Sequence, residues 1–257
     1  MTLETILLLL GAGLIGGVMA ALVGGASVVT FPAMLAAGLP PVMATASNLV
    51  SVSAGNFLAA FLDRGRLPPF DRAFGGLVLA SVLGALIGAG LLMLTPVRLF
   101  ETLIPLLLAF ATILFAYAAQ ITRWMQARAE RRGDTKPQIG VTSIPLLLPV
   151  SIYSGYFGAG AGTLVLGVLS IATGGNYRSA NVAKNLVSSL NTFAASIVFI
   201  ANGAVSWGPT LVMMVGCLIG GYFGSHLARR VPQEIMRVVV IVVGGLLTAV
   251  FAWRYWF

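Results

Sequence analysis

Apolar stretches of about 20 residues, each enough for one bilayer crossing, follow one another along this chain with only short polar gaps. That pattern limits the architecture more than any motif does. Spans 42–62, 73–94, 97–121, 180–201 and 208–229 are each long enough to cross, and a sixth runs from 234 to 256. Two further apolar regions, 4–38 and 143–174, are broken by glycines. Hydrocarbon offers no water to backbone N–H and C=O groups, so spans of this length must satisfy them internally, as helices. Charged residues make up 9% of the chain and hydrophobic ones 58%, whereas a soluble domain carries roughly 25% charged residues. The expected fold is an all-α polytopic membrane protein.

The chain is also duplicated. Asn48-Leu49-Val50-Ser51 returns as Asn185-Leu186-Val187-Ser188, 137 residues later. Gly84 and Gly88 are echoed by Gly220 and Gly224, Pro96 by Pro232, and Phe115-Ala116-Tyr117 by Phe251-Ala252-Trp253. Two five-segment halves follow, 1–122 and 143–257, joined by a hydrophilic stretch at 123–142, all within one transmembrane domain spanning 1–257.

Charge gives the two halves a direction. The joining stretch carries Arg123, Arg128, Arg131, Arg132 and Lys136, and such clusters mark the cytoplasmic side. Counting crossings outward from it places 13 of the 15 basic residues inside, with only Arg98 and Arg254 outside. Equivalent loops then fall on opposite faces, 63–72 inside against 202–208 outside. The expected repeat is therefore inverted in topology, with both termini periplasmic. The basic residues are fully explained this way, and nucleic acid is not an expected partner.

For the count to close, each glycine-broken region must begin and end on the same side. Their second arms, 26–37 and 162–173, would reach only about 18 Å as helices, short of the hydrocarbon core of about 30 Å. Each region is expected to be a re-entrant hairpin, followed by three transmembrane helices, with turns at Gly24-Gly25-Ala26-Ser27 and Gly158-Ala159-Gly160-Ala161-Gly162-Thr163. Backbone exposed at mid-depth is tolerated only within protein or beside a polar cavity.

Glycine turns that open half-helices present unpaired N–H groups at a positive dipole end, which suits anions. Gly24, Gly25, Gly160 and Gly162 supply the backbone, and Ser27 and Thr163 add hydroxyls. The helices that follow are unusually polar. Asn48 and Ser51 lie three residues apart, and so do Asn185 and Ser188, which places each pair on one helix face. Lys184 precedes Asn185, and an intramembrane cation marks a function by default. These eleven residues are the candidate substrate-binding set. The acidic residues Glu4, Asp63, Asp71, Glu101, Glu130, Asp134 and Glu234 all fall near segment ends or in loops. That argues against metal-ion transport and a carboxylate proton relay, and favours a small anion.

Other signals are set aside. Gly11-Ala12-Gly13-Leu14-Ile15-Gly16 fits a dinucleotide fingerprint in spacing, but no strand precedes it. The run from Gly158 to Gly162 lacks the Lys-Ser/Thr ending of a P-loop. Cys217 and His226 are each alone, so no disulfide, metal cluster or acid–base pair is expected. No enzyme activity and no cofactor are expected either. The first residues carry Glu4 and no basic residue, unlike a cleavable signal.

The pattern resembles the TauE/SafE sulfite exporter family, also called TSUP, over nearly the whole chain. Its carriers are Gly24-Gly25-Ala26-Ser27-Val28-Val29-Thr30-Phe31-Pro32, then Gly38-Leu39-Pro40-Pro41 and the helix from Ala44 to Ser51. In the second half they are Gly158–Gly162, the helix from Asn181 to Ser188, and Ala228-Arg229-Arg230. The resemblance implies a transporter of the bacterial inner membrane that moves sulfite, organosulfonates or related anions. An inside-negative potential favours anion efflux by about 2.3 kcal/mol per charge per 100 mV, so export as a uniport is the leading expectation. The alternatives are proton- or ion-coupled uptake of a sulfur or carboxylate anion, and a non-transporting membrane assembly partner. Expected partners are the anion, membrane lipid and a second copy of the chain in a homodimer.

Overall fold

The computed structural model describes residues 1–22, 24–67, 71–131, 144–172, 177–227 and 233–256. Among these, all regular structure is helical: α1 (Leu3–Leu22), α2 (Ala26–Ala36), α3 (Pro41–Leu62), α4 (Arg72–Leu94), α5 (Val97–Arg131), α6 (Ile144–Tyr156), α7 (Ala161–Ala172), α8 (Tyr177–Ala201), α9 (Trp207–Leu227) and α10 (Gln233–Trp256), plus a 3-10 turn at Arg64–Arg66. Stretches in α1, α3, α4, α5, α8 and α9 are long and apolar enough to cross a membrane. The chain is a multi-pass helical membrane protein.

Local chemistry sets the ends. Asp71 caps α4 by accepting the Phe74 N–H at 2.8 Å, and α3 begins on Pro41, which needs no N–H partner there. Gly24 ends α1 with φ +88°, donating its N–H to Met19 O at 2.9 Å. Gly158 ends α6 in the same way, with φ +79° and a 3.2 Å bond to Tyr153 O. A side chain with a Cβ is strained in that left-handed region. One boundary differs from expectation. α5 continues to Arg131, into the joining stretch, because Gln, Ala, Arg, Met and Glu are good helix formers. The rest of that stretch, with Arg132, Asp134 and Lys136, lies outside the described residues, as do residues 228–230.

The apolar faces point outward. On α4, Leu79, Leu83, Ile87 and Leu91 are exposed at four-residue spacing, one stripe suited to lipid. The opposite face, Gly84, Ala85, Gly88 and Ala89, is buried against α6. A Cβ on Gly84 or Gly88 would strike the backbone of Leu148 or Ile152. The same device joins α1 to α9, where Gly216, Gly220 and Gly224 lie against Leu10, Leu14 and Val18. These glycines permit close helix approach, and the supposed fingerprint glycine Gly13 belongs to this contact, facing Met213 and Cys217.

Pairings exchange between the halves. The first helix of each half packs on the fourth of the other, α1 on α9 and α6 on α4, while α3 meets α8 and α5 meets α10. Directions can be read from the neighbours. Numbers rise together along α1 and α9, along α4 and α6, and along α3 and α9, where Ser47 bonds Ser206 and Ser51 bonds Thr210. They run opposite along α5 and α10, where Gly244 sits near Thr112 and the indole of Trp256 donates to Thr102 O at 3.1 Å.

A paired substitution checks this packing. Gly88→Ala is expected to lower stability by about 1–3 kcal/mol through overpacking. Gly90→Ala, with nothing within 4 Å of its added Cβ, is expected to be neutral or slightly stabilising through helix propensity. Unfolding midpoints of the two purified variants decide; equal midpoints would remove the close-packing assignment.

Candidate functional site

Two interrupted helices meet at one point. The turn between α1 and α2 lies against the start of α7, and a Cβ on Gly24 would sit 2.9 Å from Gly162 Cα. The reverse substitution would sit 2.7 Å from Gly24 O. Only glycine on both sides allows this approach. Helix α2 has 11 residues and α7 has 12, so each is about 16–18 Å long, and their N-terminal ends come together here. The first N–H groups of a helix have no intrahelical acceptor. Val28 N–H is taken by Gly25 O and Thr163 N–H by Gly160 O, and those of Ala26, Ser27 and Gly162 remain.

A cavity opens beside this contact, with about 20 Å³ of room for the centre of a water molecule. Both turns contribute to its wall, through Gly24, Ser27, Gly158 and Gly162, and so do Asn56 of α3, Ser154 of α6, and Ser188 and Thr192 of α8. Space of this size in a polar setting is enough for a water molecule. Asn56 is 5% exposed and Ser154 4%, and neither side chain has a hydrogen-bond partner among the described residues. Buried polar groups are otherwise nearly always paired. The Ser188 hydroxyl is unpaired as well. Ser27 Oγ accepts from Asn48 Nδ2 at 3.0 Å, which leaves its own O–H to donate elsewhere. No described carboxylate lines the wall.

The eleven residues expected from sequence divide by placement. Gly24, Ser27, Gly162 and Ser188 line the cavity. Asn48 stands behind Ser27 and orients it. Gly25 and Gly160 shape the turns, packed against the Phe115 ring and Ala111 respectively, and Thr163 Oγ1 donates to Gly160 O at 2.6 Å. Ser51 is directed elsewhere, bonding Ser47 O and Thr210 O, so it ties α3 to α9. Asn185 is buried with its Oδ1 unpartnered, as is Asn48 Oδ1. Lys184 is fully buried and donates from Nζ to Ala20 O at 2.9 Å, at the carbonyl end of α1.

Asn56, Ser154 and Thr192 were not in that set. Helical spacing carries the signal for two of them. Asn56 lies seven residues after Leu49 and four after Val52, which share its face and line the cavity. Thr192 lies four after Ser188. Ser154 has only its position four residues before Gly158.

A second polar group contrasts with this wall. Ser81, Ser151 and Asn191 close a buried ring of bonds at 2.7, 2.7 and 3.2 Å, joining α4, α6 and α8 with every member paired. Asn191→Ala is expected to cost about 1–3 kcal/mol, since it orphans buried hydroxyls. Asn56→Ala breaks no bond and is expected to cost clearly less than Asn191→Ala. Denaturation midpoints of the two variants test which group serves the fold.

The chain matches the family model described as "Sulfite exporter TauE/SafE" over residues 9–251. It is 23% identical over 251 residues to a "Probable membrane transporter protein" of Haemophilus influenzae, covering 96% of this chain and 94% of that protein. It is 24% identical over 242 residues to the "Probable membrane transporter protein YfcA" of Escherichia coli K12, covering 92% and 85%. To the "Probable membrane transporter protein ORF9" of a Sinorhizobium species it is 26% identical over 238 residues, covering 90% and 86%. No solved structure matches.

Proposed function

The chain belongs to the TauE/SafE sulfite exporter family, and from that premise we propose that it transports a small anion, sulfite or an organosulfonate, outward across a bacterial inner membrane through the cavity between its two halves. The observation that carries this reading is the convergence of the α2 and α7 N-termini on one cavity whose wall also holds the unpaired side chains of Asn56, Ser154 and Ser188. Their free N–H groups and dipole ends favour negative charge. The hydroxyls of Ser27, Ser154 and Ser188 and the amide of Asn56 add neutral donors. The described carboxylates Glu4, Asp63, Asp71 and Glu101 all lie at or near helix ends, away from the wall, so none would repel the anion.

The inverted repeat and the re-entrant hairpins belong to this reading. The parallel course of α1 with α9, and of α4 with α6, supports inversion. α3 runs with α9, and its successor α4 must return across the membrane, so α4 and its counterpart α9 run oppositely. Short α2 and α7 support hairpins that stop at mid-depth. The positive-inside count then puts both termini in the periplasm. The relatives' names as transporters support a non-enzymatic role, and the wall offers neutral hydrogen-bonding groups rather than acid–base pairs.

Purified protein in liposomes provides the test. Sulfite or a sulfonate loaded inside is expected to leave faster when an inside-negative potential is imposed, by the driving force of about 2.3 kcal/mol per charge per 100 mV. Asn56→Ala and Ser154→Ala are expected to lower that flux by about tenfold, the loss of one interaction with a charged group. Absence of any potential-dependent flux would sink export as a uniport. Flux that follows a proton gradient instead would favour coupled uptake.

A further inference from the structure

Ser47 and Lys184 occupy equivalent places, each just before the repeated Asn-Leu-Val-Ser. Ser47 is fully buried, and its hydroxyl accepts the Ser206 N–H at 3.0 Å. A short neutral side chain therefore meets the packing needs of this position in one half. In the other half the chain places a cation there, and helix packing gives no reason for it.

The surroundings of that cation are specific. Lys184 Nζ donates to Ala20 O at 2.9 Å, and Asn181 Nδ2 donates to Ala21 O at 3.1 Å. Both carbonyls belong to the last turn of α1, where C=O groups lack intrahelical partners and the dipole end is negative. The amide oxygens of Asn181 and Asn185, one turn apart on α8 and flanking Lys184 in sequence, have no partner. An ammonium carries three N–H donors, and Lys184 has one recorded acceptor and no acidic partner among the described residues. The cation's acceptor is thus a neutral main-chain carbonyl at the end of α1, and the unpartnered amide oxygens belong to the same stretch of α8. In transporters with broken helices, carbonyls at helix ends are the ligands that hold a coupling cation. Ala20 also lines the cavity, so the charge sits just behind the wall that the two helix N-termini face.

We propose that Lys184 is a tethered counter-cation: its ammonium sits at the carbonyl end of α1 and takes the place of a coupling metal cation, so that anion passage needs none. This rests on the anion-transport reading above. It adds that the protein's cation dependence is built into the chain. It also adds that removing the ammonium re-creates a site for a free monovalent cation.

The experiment measures sulfite flux from liposomes in sodium, potassium and choline media, alongside unfolding midpoints in the same salts. The wild-type protein is expected to give the same flux in all three. Lys184→Arg keeps the charge and retains flux, and Lys184→Met loses about tenfold or more, one decade for each desolvated charge interaction removed. Lys184→Ala, which leaves room beside the carbonyls, is expected to recover flux on addition of sodium or methylammonium. Its unfolding midpoint should rise with either ion, while the wild-type midpoint does not respond. A sodium requirement in the wild-type protein overturns the proposal, as does full flux in Lys184→Met. So does a Lys184→Ala midpoint indifferent to both ions. The midpoint arm needs no transport, so it judges the cation site even if wild-type flux is absent, an outcome that would overturn the transport reading instead.

Discussion

The contact of two glycine backbones, Gly24 on Gly162, is the constraint on which the rest of the structure depends. A helix end leaves backbone N–H or C=O groups without intrahelical partners. One broken helix in the interior would be costly. Two that break against each other share one polar enclosure, and their ends need cover from the surrounding helices on the other sides only. That cover comes from α3 and α8, whose interior residues are polar for this reason. Asn48 holds Ser27 at the start of α2, and Lys184 and Asn181 close the carbonyl end of α1. The aromatic rings of Phe31, Phe100 and Phe157 seal the arrangement edge to face, with centroids 5.1 Å apart for the first and last.

Around this centre, helices are joined by two kinds of contact. The pairs α1 with α9 and α4 with α6 meet backbone to backbone through glycines, where dispersion over a close surface supplies the attraction that lipid exclusion cannot. The contact of α3 with α8 includes a direct polar bond, from Ser189 to Ser53 O at 3.3 Å. Each closely packed unit draws helices from both halves of the chain, and the cavity wall likewise takes residues from both.

How far this was legible in the sequence depends on which physical signal each feature leaves. Helix existence and most boundaries follow from apolar length, and α3 and α4 begin and end within a residue or two of their expected limits. The broken helices were legible because Gly24 and Gly158 stand at equivalent places beside runs too short to cross. Facing was not legible for α3. It is buried on several sides and polar on each, with Ser47 turned to Ser206, Ser51 to Thr210 and Asn48 to Ser27. Periodicity cannot separate such faces. Pairing Asn48 with Ser51 on one face therefore gave one residue beside the cavity and one against α9, and Asn56, two turns further on, went unassigned. Lys184 was conspicuous as a charge, but its acceptor is a main-chain carbonyl on another helix, and no side-chain pattern announces a carbonyl.

On the transport reading, the position of that charge has a consequence for turnover. A carrier must hold its substrate firmly enough to capture it and loosely enough to let it go. Coulomb attraction falls inversely with separation, so doubling a contact of about 4 Å halves it. An ammonium in direct contact with the anion, in a low-dielectric interior, would hold it too tightly to release. Lys184 spends its one recorded bond on Ala20 O, and Ala20 is what meets the cavity. The anion would then touch only hydroxyls, an amide and helix N–H groups, with the full charge acting through the wall. Neutral donors decide which shape is accepted, and the recessed cation decides which sign. The duplicated helix supplies donors from both halves, and one departure from that duplication, lysine in place of serine beside the repeated Asn-Leu-Val-Ser, supplies the sign.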